Sequence, residues 1–284
     1  MVQIEEYGEF DTAWCPGCGN FGILKAMKTA LVSRGLAPHQ VCMVSGIGQA
    51  AKAPHYLRCN AFNGLHGRAL PPAQAIKLAN PRLTVIAESG DGCSYGEGGN
   101  HFLAALRRNV DITLVAHDNQ IYGLTKGQAS PTTLQGMKTK AQPFGAPSQP
   151  FNPVAVAVTM KAGFVARGFA GEIDHLADLI AQAVRYPGFS LVDVLQPCVS
   201  FNKLNTYAWY KERVKKLDAA HDPTDFGAAL QVAKHSGETL PIGVIWKNTE
   251  RKAFHELLPT LTGEPLAGRA PDHAALAEVM KSYV

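Results

Sequence analysis

Gly90-Asp91-Gly92 and Asp118-Asn119-Gln120 each follow an apolar run in this chain. Two polar groups at neighbouring strand ends could hold a divalent metal against a diphosphate. A carboxylate from Asp91, an amide oxygen from Asn119 and a nearby backbone carbonyl are hard oxygen ligands of the kind Mg²⁺ takes, and that ion keeps positions for water and phosphate oxygens. The glycines between Gly90 and Asn100 let backbone amides approach a phosphate, and a helix beginning near Asn100 would point its partly positive end the same way. A Gly-Asp-Gly triplet alone equally describes an ordinary turn; the second strand end makes a site of it.

Thiols form a second set. The six cysteines are Cys15, Cys18, Cys42, Cys59, Cys93 and Cys198. Cys15-Pro16-Gly17-Cys18 has the spacing of two ligands to one iron of a cluster or to one zinc. A thioredoxin-type dithiol would follow a strand, and no strand-like run precedes this motif. Cys42 lies within a strand-like run and reads as core packing; Cys93 stands beside Asp91 and is expected to line the same pocket. Lys52 follows the Gly48 loop. A cation there would favour a substrate with a second carboxylate, while a solvated surface lysine is the plainer reading.

The elements that must position these groups are legible as periodicity. Strands are expected at Val41–Ser45, Leu83–Glu88, Ile112–His117, Gly163–Arg167 and Ser190–Leu195. Helices separate several of them, with apolar faces at Leu24, Met27 and Leu31; at Phe102, Leu103 and Leu106; and at Leu176, Leu179, Ile180 and Val184, the last with Asp174 as cap. The fold class is therefore α/β, a mainly parallel sheet flanked by helices. In such a sheet ligands bind beyond the carboxyl ends of the strands. The Pro-rich stretch from Lys126 to Pro153 predicts a long irregular loop closing over a ligand or a partner subunit. Residues 1–204 are expected to form the binding domain, and 205–284 a C-terminal extension with helical stretches at Trp209–Leu217 and Phe226–His235 and a strand at Ile242–Trp246.

A chain of 284 residues with 46% hydrophobic content holds one large core. Its formal net charge of +4 is modest, and its basic residues are scattered. That argues against nucleic acid or a membrane surface as partner. No run approaches a membrane span, and the polar, acidic start is unlike a secretory signal, so a cytoplasmic address is expected. In that compartment the cysteines are not a disulfide framework.

The longer strings Gly99-Asn100-His101-Phe102, Arg107-Arg108-Asn109, Asp118 through Thr125 and Gly127 through Thr133 resemble the β subunits of 2-oxoacid:ferredoxin oxidoreductases. The resemblance covers roughly residues 8 to 205 and implies the thiamin diphosphate-binding fold. It implies that Asp91, Asn119 and the carbonyl of Ile121 hold Mg²⁺. Gly90, Gly92, Cys93, Gly123, Leu124 and Thr125 would then surround the diphosphate. The loops Ser45-Gly46-Ile47-Gly48 and Leu65 to Pro71 would also touch the cofactor, His66 among them, although a lone histidine is most often structural. It further implies a 4Fe–4S cluster held by Cys15, Cys18 and Cys198. The usual further ligand directly follows Ser-Gly-Ile-Gly, where this chain has Gln49. Thiolate is what cluster iron prefers, so Cys59 is expected in its place; three cysteines with a non-thiolate ligand, or no cluster, are the alternatives.

In such an enzyme the carboxylate that sets the cofactor's aminopyrimidine comes from a partner α subunit, so this chain is expected to work only with that subunit, in an (αβ)₂ assembly. Coenzyme A and ferredoxin would be co-substrate and electron acceptor. The expected reaction is oxidative decarboxylation of 2-oxoglutarate, reversible as a reductive carboxylation. Use of pyruvate or a broad range of 2-oxoacids is the alternative. A non-redox thiamin decarboxylase or synthase subunit and a zinc-stabilised interaction subunit are the rivals.

Overall fold

The computed structural model describes residues 2–235 and 238–283. The outermost positions of the two expected segments, Met1 and Val284, lie outside the described residues, as do Ser236 and Gly237. The elements run α1 (Gly19–Ser33), β1 (Val41–Ser45), β2 (Asn60–Asn63), α2 (Leu70–Ala79), β3 (Thr84–Gly90), α3 (Gly99–Arg108), β4 (Thr113–Asp118), α4 (Pro153–Thr159), β5 (Phe164–Phe169), α5 (Ile173–Arg185), β6 (Ser190–Leu195), α6 (Tyr207–Arg213), β7 (Val214–Lys216), α7 (Phe226–Lys234), β8 (Leu240–Lys247) and α8 (His273–Lys281). The strands form one sheet in the order β2-β1-β3-β4-β6-β5-β8-β7. Every pairing is parallel except β5 with β8.

Burial explains the pattern. The central strands β1, β4, β5 and β6 are buried throughout, as a parallel sheet covered on both faces requires. Successive residues face opposite sides: Met43 and Ile86 join Ile23, Met27, Leu31, Leu176 and Ile180 of α1 and α5. Val44, Val85 and Ala87 join Leu70, Phe102, Leu106, Val154 and Ala229 of α2, α3, α4 and α7. Burying one such Leu, Ile or Phe side chain contributes roughly 1.5–3 kcal/mol. Cys42 packs in the second of these layers, as expected of a core thiol.

Several local expectations are corrected. Leu103 is on the solvent side of α3, 40% exposed, because the buried stripe passes through Phe102, Ala105 and Leu106. Asp174 does not cap α5; the helix starts at Ile173 after Glu172, which makes no side-chain cap bond, and Asp174 sits in the first turn. The helix expected over Trp209–Leu217 stops at Arg213 and the chain turns into the short strand β7. The extension after residue 204 thus adds β7 and β8 to the main sheet.

Residues 119–152 carry no regular element. They are ordered by their own bonds: Gly136 N–H donates to Ala146 O (2.8 Å), Ala146 N–H to Met137 O (2.9 Å) and Phe151 N–H to Pro131 O (2.8 Å). No helix among the described residues is long and apolar enough to cross a membrane.

Asn109 locks three parts together. It ends α3 in the left-handed conformation, with φ 58°. Its buried amide accepts from Phe189 N–H (3.0 Å) and donates to Lys252 O (2.9 Å). Replacing it leaves the buried Phe189 N–H without a partner and frees the partly buried Lys252 carbonyl. Asn109→Ala is expected to lower the unfolding free energy by about 2–4 kcal/mol, read from the midpoint of a urea titration; a change within error would refute the role given to this side chain.

Candidate functional site

The strands align their carboxyl ends on one edge. Ser45 is level with Glu88, Gly90 with His117, and Asp118 with Leu195. Asp91, Asn119 and the segment after β6 therefore leave the sheet side by side, where a switch in strand order opens a crevice. The chain after β3 makes a single π turn, Gly92–Glu97, before α3. Gly92 is required there, since a Cβ would collide with the Tyr122 ring.

One cavity of about 60 Å³ lies over these ends, lined by Ile47, Gly48, His66, Gly90, Asp91, Gly92, Cys93, Asn119, Ile121, Gly123, Leu124 and Thr125, together with Gln49, Ala50 and Tyr122. Nearly all the residues singled out from the sequence for a diphosphate thus converge. Ser45 and Gly46 do not line it. The Ser45 hydroxyl is fully buried and accepts from Asn63 Nδ2 (2.8 Å), and Gly46 is packed so closely on Cys93 Sγ that a Cβ would not fit. Cys93 Sγ accepts from Gly67 N–H (3.1 Å) and Ile47 N–H (3.4 Å), tying both loops to the π turn. His66 Nδ1 lies 3.2 Å from Glu97 Oε2 on the rim. Lys52 is not among the lining residues; it sits half-buried in the short helix Ala50–Tyr56. It makes none of the ion pairs found among the described residues.

Asp91 is 2% exposed. Its Oδ2 accepts from Ser130 Oγ (2.5 Å) and Thr132 Oγ1 (2.6 Å), both from the long loop. The first part of that loop therefore supports the strand end from behind. Thr132 Oγ1 is also 2.7 Å from Asp118 Oδ1. One hydroxyl has one proton to donate, so Thr132 is shared between the two carboxyls. Burial, then the charges of Asp193 and Asp91, push Asp118 well above the usual carboxylate range. Asp193 receives the Tyr95 hydroxyl (2.7 Å). Of the three buried carboxyls at this strand edge, Asp193 has Arg167 Nε at 3.8 Å, while Asp91 has only hydroxyl partners, so a divalent cation beside Asp91 would offset its buried charge. Asn119 Oδ1 accepts from Ile121 N–H (3.0 Å) across a turn in which Gln120 has φ 59°, so the amide oxygen is already fixed in place. The donor set and its charge fit a hard cation holding a diphosphate.

A second cavity adjoins the first. It is lined by Cys15, Cys18 and Cys198, with Trp14, Asn20, Gln49, Asn119, Gly123, Gln196 and Phe201. Cys18 caps the amino end of α1, and Gly19 N–H donates to Pro197 O (3.4 Å), joining the two cysteine segments. Burial raises the Cys18 thiol; the Asn20 N–H opposes this, and neighbouring Cys198 and Cys15 raise it further. The thiols have donors as metal thiolates do: Gln196 Nε2 to Cys18 Sγ (3.6 Å) and Ser200 Oγ to Cys15 Sγ (3.0 Å). Gln196 also donates to Asn20 Oδ1 (2.8 Å), which is 2.9 Å from His117 Nδ1, and His117 Nε2 is 2.9 Å from Glu88 Oε1. Among the described residues no three His, Cys, Asp or Glu side chains converge on a single ion position. The three thiols share a cavity wall.

Cys59 is absent from that wall. It precedes β2, and because β2 runs parallel to β1 with Asn60 level with Cys42, Cys59 lies at the opposite, amino-terminal edge of the sheet. There burial pushes its thiol up to about 12. Gln49, passed over as a ligand on its residue type, lines both cavities, as does Asn119. Tyr122, Asn20 and Gln196 were also missed, because single polar residues in loops or in the first turn of a helix give no periodic signal.

The fold and these two cavities agree with what the chain is similar to. Residues 39–194 match the thiamine pyrophosphate enzyme C-terminal TPP binding domain, and residues 198–263 match the C-terminal family of the pyruvate ferredoxin oxidoreductase β subunit. The chain is 43% identical to a 2-oxoacid:ferredoxin oxidoreductase subunit β of Saccharolobus solfataricus over 92% of this chain and 87% of that one. This chain belongs to the β subunits of the 2-oxoacid:ferredoxin oxidoreductases. It is 39% identical to the 2-oxoglutarate oxidoreductase subunit KorB of Mycobacterium tuberculosis, over 77% of this chain and 59% of that one. Among solved structures, the 2-oxoglutarate:ferredoxin oxidoreductase of Magnetococcus marinus, with 2-oxoglutarate, coenzyme A and succinyl-CoA bound, superposes with a TM-score of 0.90 at 35% identity, over 98% of this chain and 96% of that one. As a β subunit the chain has an α subunit as its counterpart, and the matched domain is one that binds thiamin diphosphate.

Burial lifts Asp91 from its ordinary 3.8 to about 6, against the Ser130 and Thr132 hydroxyls that pull it down. Between these values the folded chain keeps a proton that the unfolded chain loses, so metal-free stability falls as pH rises through this window. Asp91→Asn removes that penalty. In EDTA the variant is expected to be more stable than the parent at pH ~7, by on the order of 1–3 kcal/mol, with the gap closing towards pH ~4. A variant no more stable at neutral pH would show that the buried carboxyl is not under-compensated.

Proposed function

We propose that this chain is the thiamin-binding half of a cytoplasmic (αβ)₂ enzyme that oxidatively decarboxylates 2-oxoglutarate to succinyl-CoA and CO₂ and delivers the electrons through a 4Fe–4S cluster to ferredoxin. The observation that carries the reading is the shared wall. Gln49, Asn119 and Gly123 line both the diphosphate cavity and the thiol cavity. A cofactor in one and a cluster in the other would be separated by single side chains.

When bound, thiamin diphosphate would supply the carbanion chemistry for decarboxylating a 2-oxo acid, and a cluster would supply a one-electron acceptor. The chain's own residues do the positioning. Asp91, Asn119 and the Ile121 carbonyl would hold Mg²⁺ on the diphosphate, with Gly92, Gly123 and Thr125 around its oxygens. Cys93 fixes the two loops that close the pocket. His66, oriented by Glu97, faces the same cavity.

Lys52 bears on the choice of substrate. It is a half-buried cation, outside the ion pairs of the described residues, on the short helix that begins beside Gln49. A carboxylate tail reaching past Gln49 would meet it, which favours 2-oxoglutarate over pyruvate. The Mycobacterium tuberculosis and Magnetococcus marinus relatives named for 2-oxoglutarate agree with this. Broad 2-oxoacid use is the second reading, favoured by the higher identity to the Saccharolobus solfataricus protein.

Two outcomes are expected of the co-expressed α and β chains. Asp91→Ala should abolish retention of thiamin diphosphate on desalting in Mg²⁺, whereas unchanged cofactor content would exclude Asp91 as a metal ligand. Lys52→Ala should raise KM for 2-oxoglutarate at least ~10-fold and leave KM for pyruvate alone. Equal effects on the two substrates in a coenzyme A-dependent dye-reduction assay would remove Lys52 from the substrate site.

A further inference from the structure

We propose that the iron–sulfur site of this chain has only three thiolates, Cys15, Cys18 and Cys198, and that the side-chain amide of Gln49 occupies its fourth corner. One iron is then held without sulfur from the protein. The inference rests on the reading that a cluster sits here, and it concerns how this chain would hold it.

Four observations converge on Gln49. It lines the cavity that the three cysteines line. Its Oε1 is a buried oxygen with no hydrogen-bond partner, a state that costs roughly 1–3 kcal/mol unless something fills it. Its backbone is fixed to the cysteine segment, because Trp14 Nε1 donates to Gln49 O (2.8 Å). No other thiol is available: Cys59 lies at the far edge of the sheet, Cys42 is in the core, and Cys93 accepts two backbone N–H groups in the neighbouring cavity. An amide oxygen is a hard, neutral donor and binds cluster iron far more weakly than thiolate.

The consequences are chemical. An iron on an amide oxygen is released more easily than its three neighbours and accepts an outside ligand more readily. Gln49 also lines the diphosphate cavity, so the labile iron is the one facing the substrate side. Mild oxidation makes the difference visible. Ferricyanide takes one electron from a [4Fe–4S]²⁺ cluster, Fe²⁺ leaves, and a [3Fe–4S]⁺ cluster remains on the three thiolates; charge and electrons balance.

The test uses the αβ complex purified without oxygen. Iron and sulfide are measured first. A complex without them sinks the cluster reading, and this inference with it. With the cluster present, about one equivalent of ferricyanide should give the three-iron EPR signal and release one iron per β chain. Gln49→Cys should resist, needing several-fold more oxidant. Gln49→Ala should lose that iron several-fold faster than the parent, and Cys59→Ser should behave as the parent. A parent as resistant as Gln49→Cys, or loss of iron in Cys59→Ser, overturns the assignment. Should Gln49→Cys fail to assemble, Mössbauer isotope added back as iron to the oxidised parent decides: uptake at one distinct site supports the proposal, and scrambling over all sites overturns it.

Discussion

A carboxylate with no water around it governs this structure. Asp91 leaves β3 at the sheet edge with almost no exposure, and its environment is built to hold it at a cost. Ser130 and Thr132 reach back from a loop of more than thirty residues to bond one oxygen. Asp118 adds a second buried carboxyl to the same hydroxyl and Asp193 a third nearby. Hydroxyls on Asp91 and the Arg167 guanidinium beside Asp193 offset part of the cost of burying these carboxyls. The long loop, the absence of a side chain at Gly92 and the left-handed turn at Gln120 are the local features that put Asp91, Asn119 and Ile121 on the wall of one cavity.

The thiol cavity depends on the same edge. Cys198 follows β6 by three residues, and β6 is the direct neighbour of β4. Cys18 reaches the edge from the amino end of α1, which packs on α5 and is pinned by Gly19 to Pro197. Behind the thiols, the buried series Gln196, Asn20, His117 and Glu88 runs from Cys18 into the sheet. Buried polar groups in such numbers cost stability unless each is bonded. They are the part of the core given over to the site.

Much of this was legible in the chain. Val41–Ser45 and Ser190–Leu195 were bounded correctly because continuous apolar runs between turn residues describe strands buried on both faces. The Gly-Asp-Gly turn and Asn119 were expected at one site, and they line one cavity, because both leave neighbouring parallel strands at the same edge. Leu103, Asp174 and the end of α6 were misjudged, since the phase of a helix and its first residue shift with tertiary packing. Ser45 and Gly46 were expected beside the cofactor but lie behind the cavity lining, Gly46 against Cys93 Sγ, a packing contact that leaves no mark in the sequence.

The cysteines mark the boundary between the two kinds of knowledge. Spacing by itself determined that Cys15 and Cys18 could share a ligand, because two thiols across a tight turn must lie close. Composition and patterning likewise determined an α/β sheet and a chemical edge at the strand ends. Only the tertiary structure decided that Cys198 joins them and Cys59 does not. That outcome follows from strand direction: β2 runs parallel to β1, so a residue ten positions after Gln49 returns to the opposite end of the sheet. Distance along the chain carries no sign of which edge a residue faces until the crossover is known.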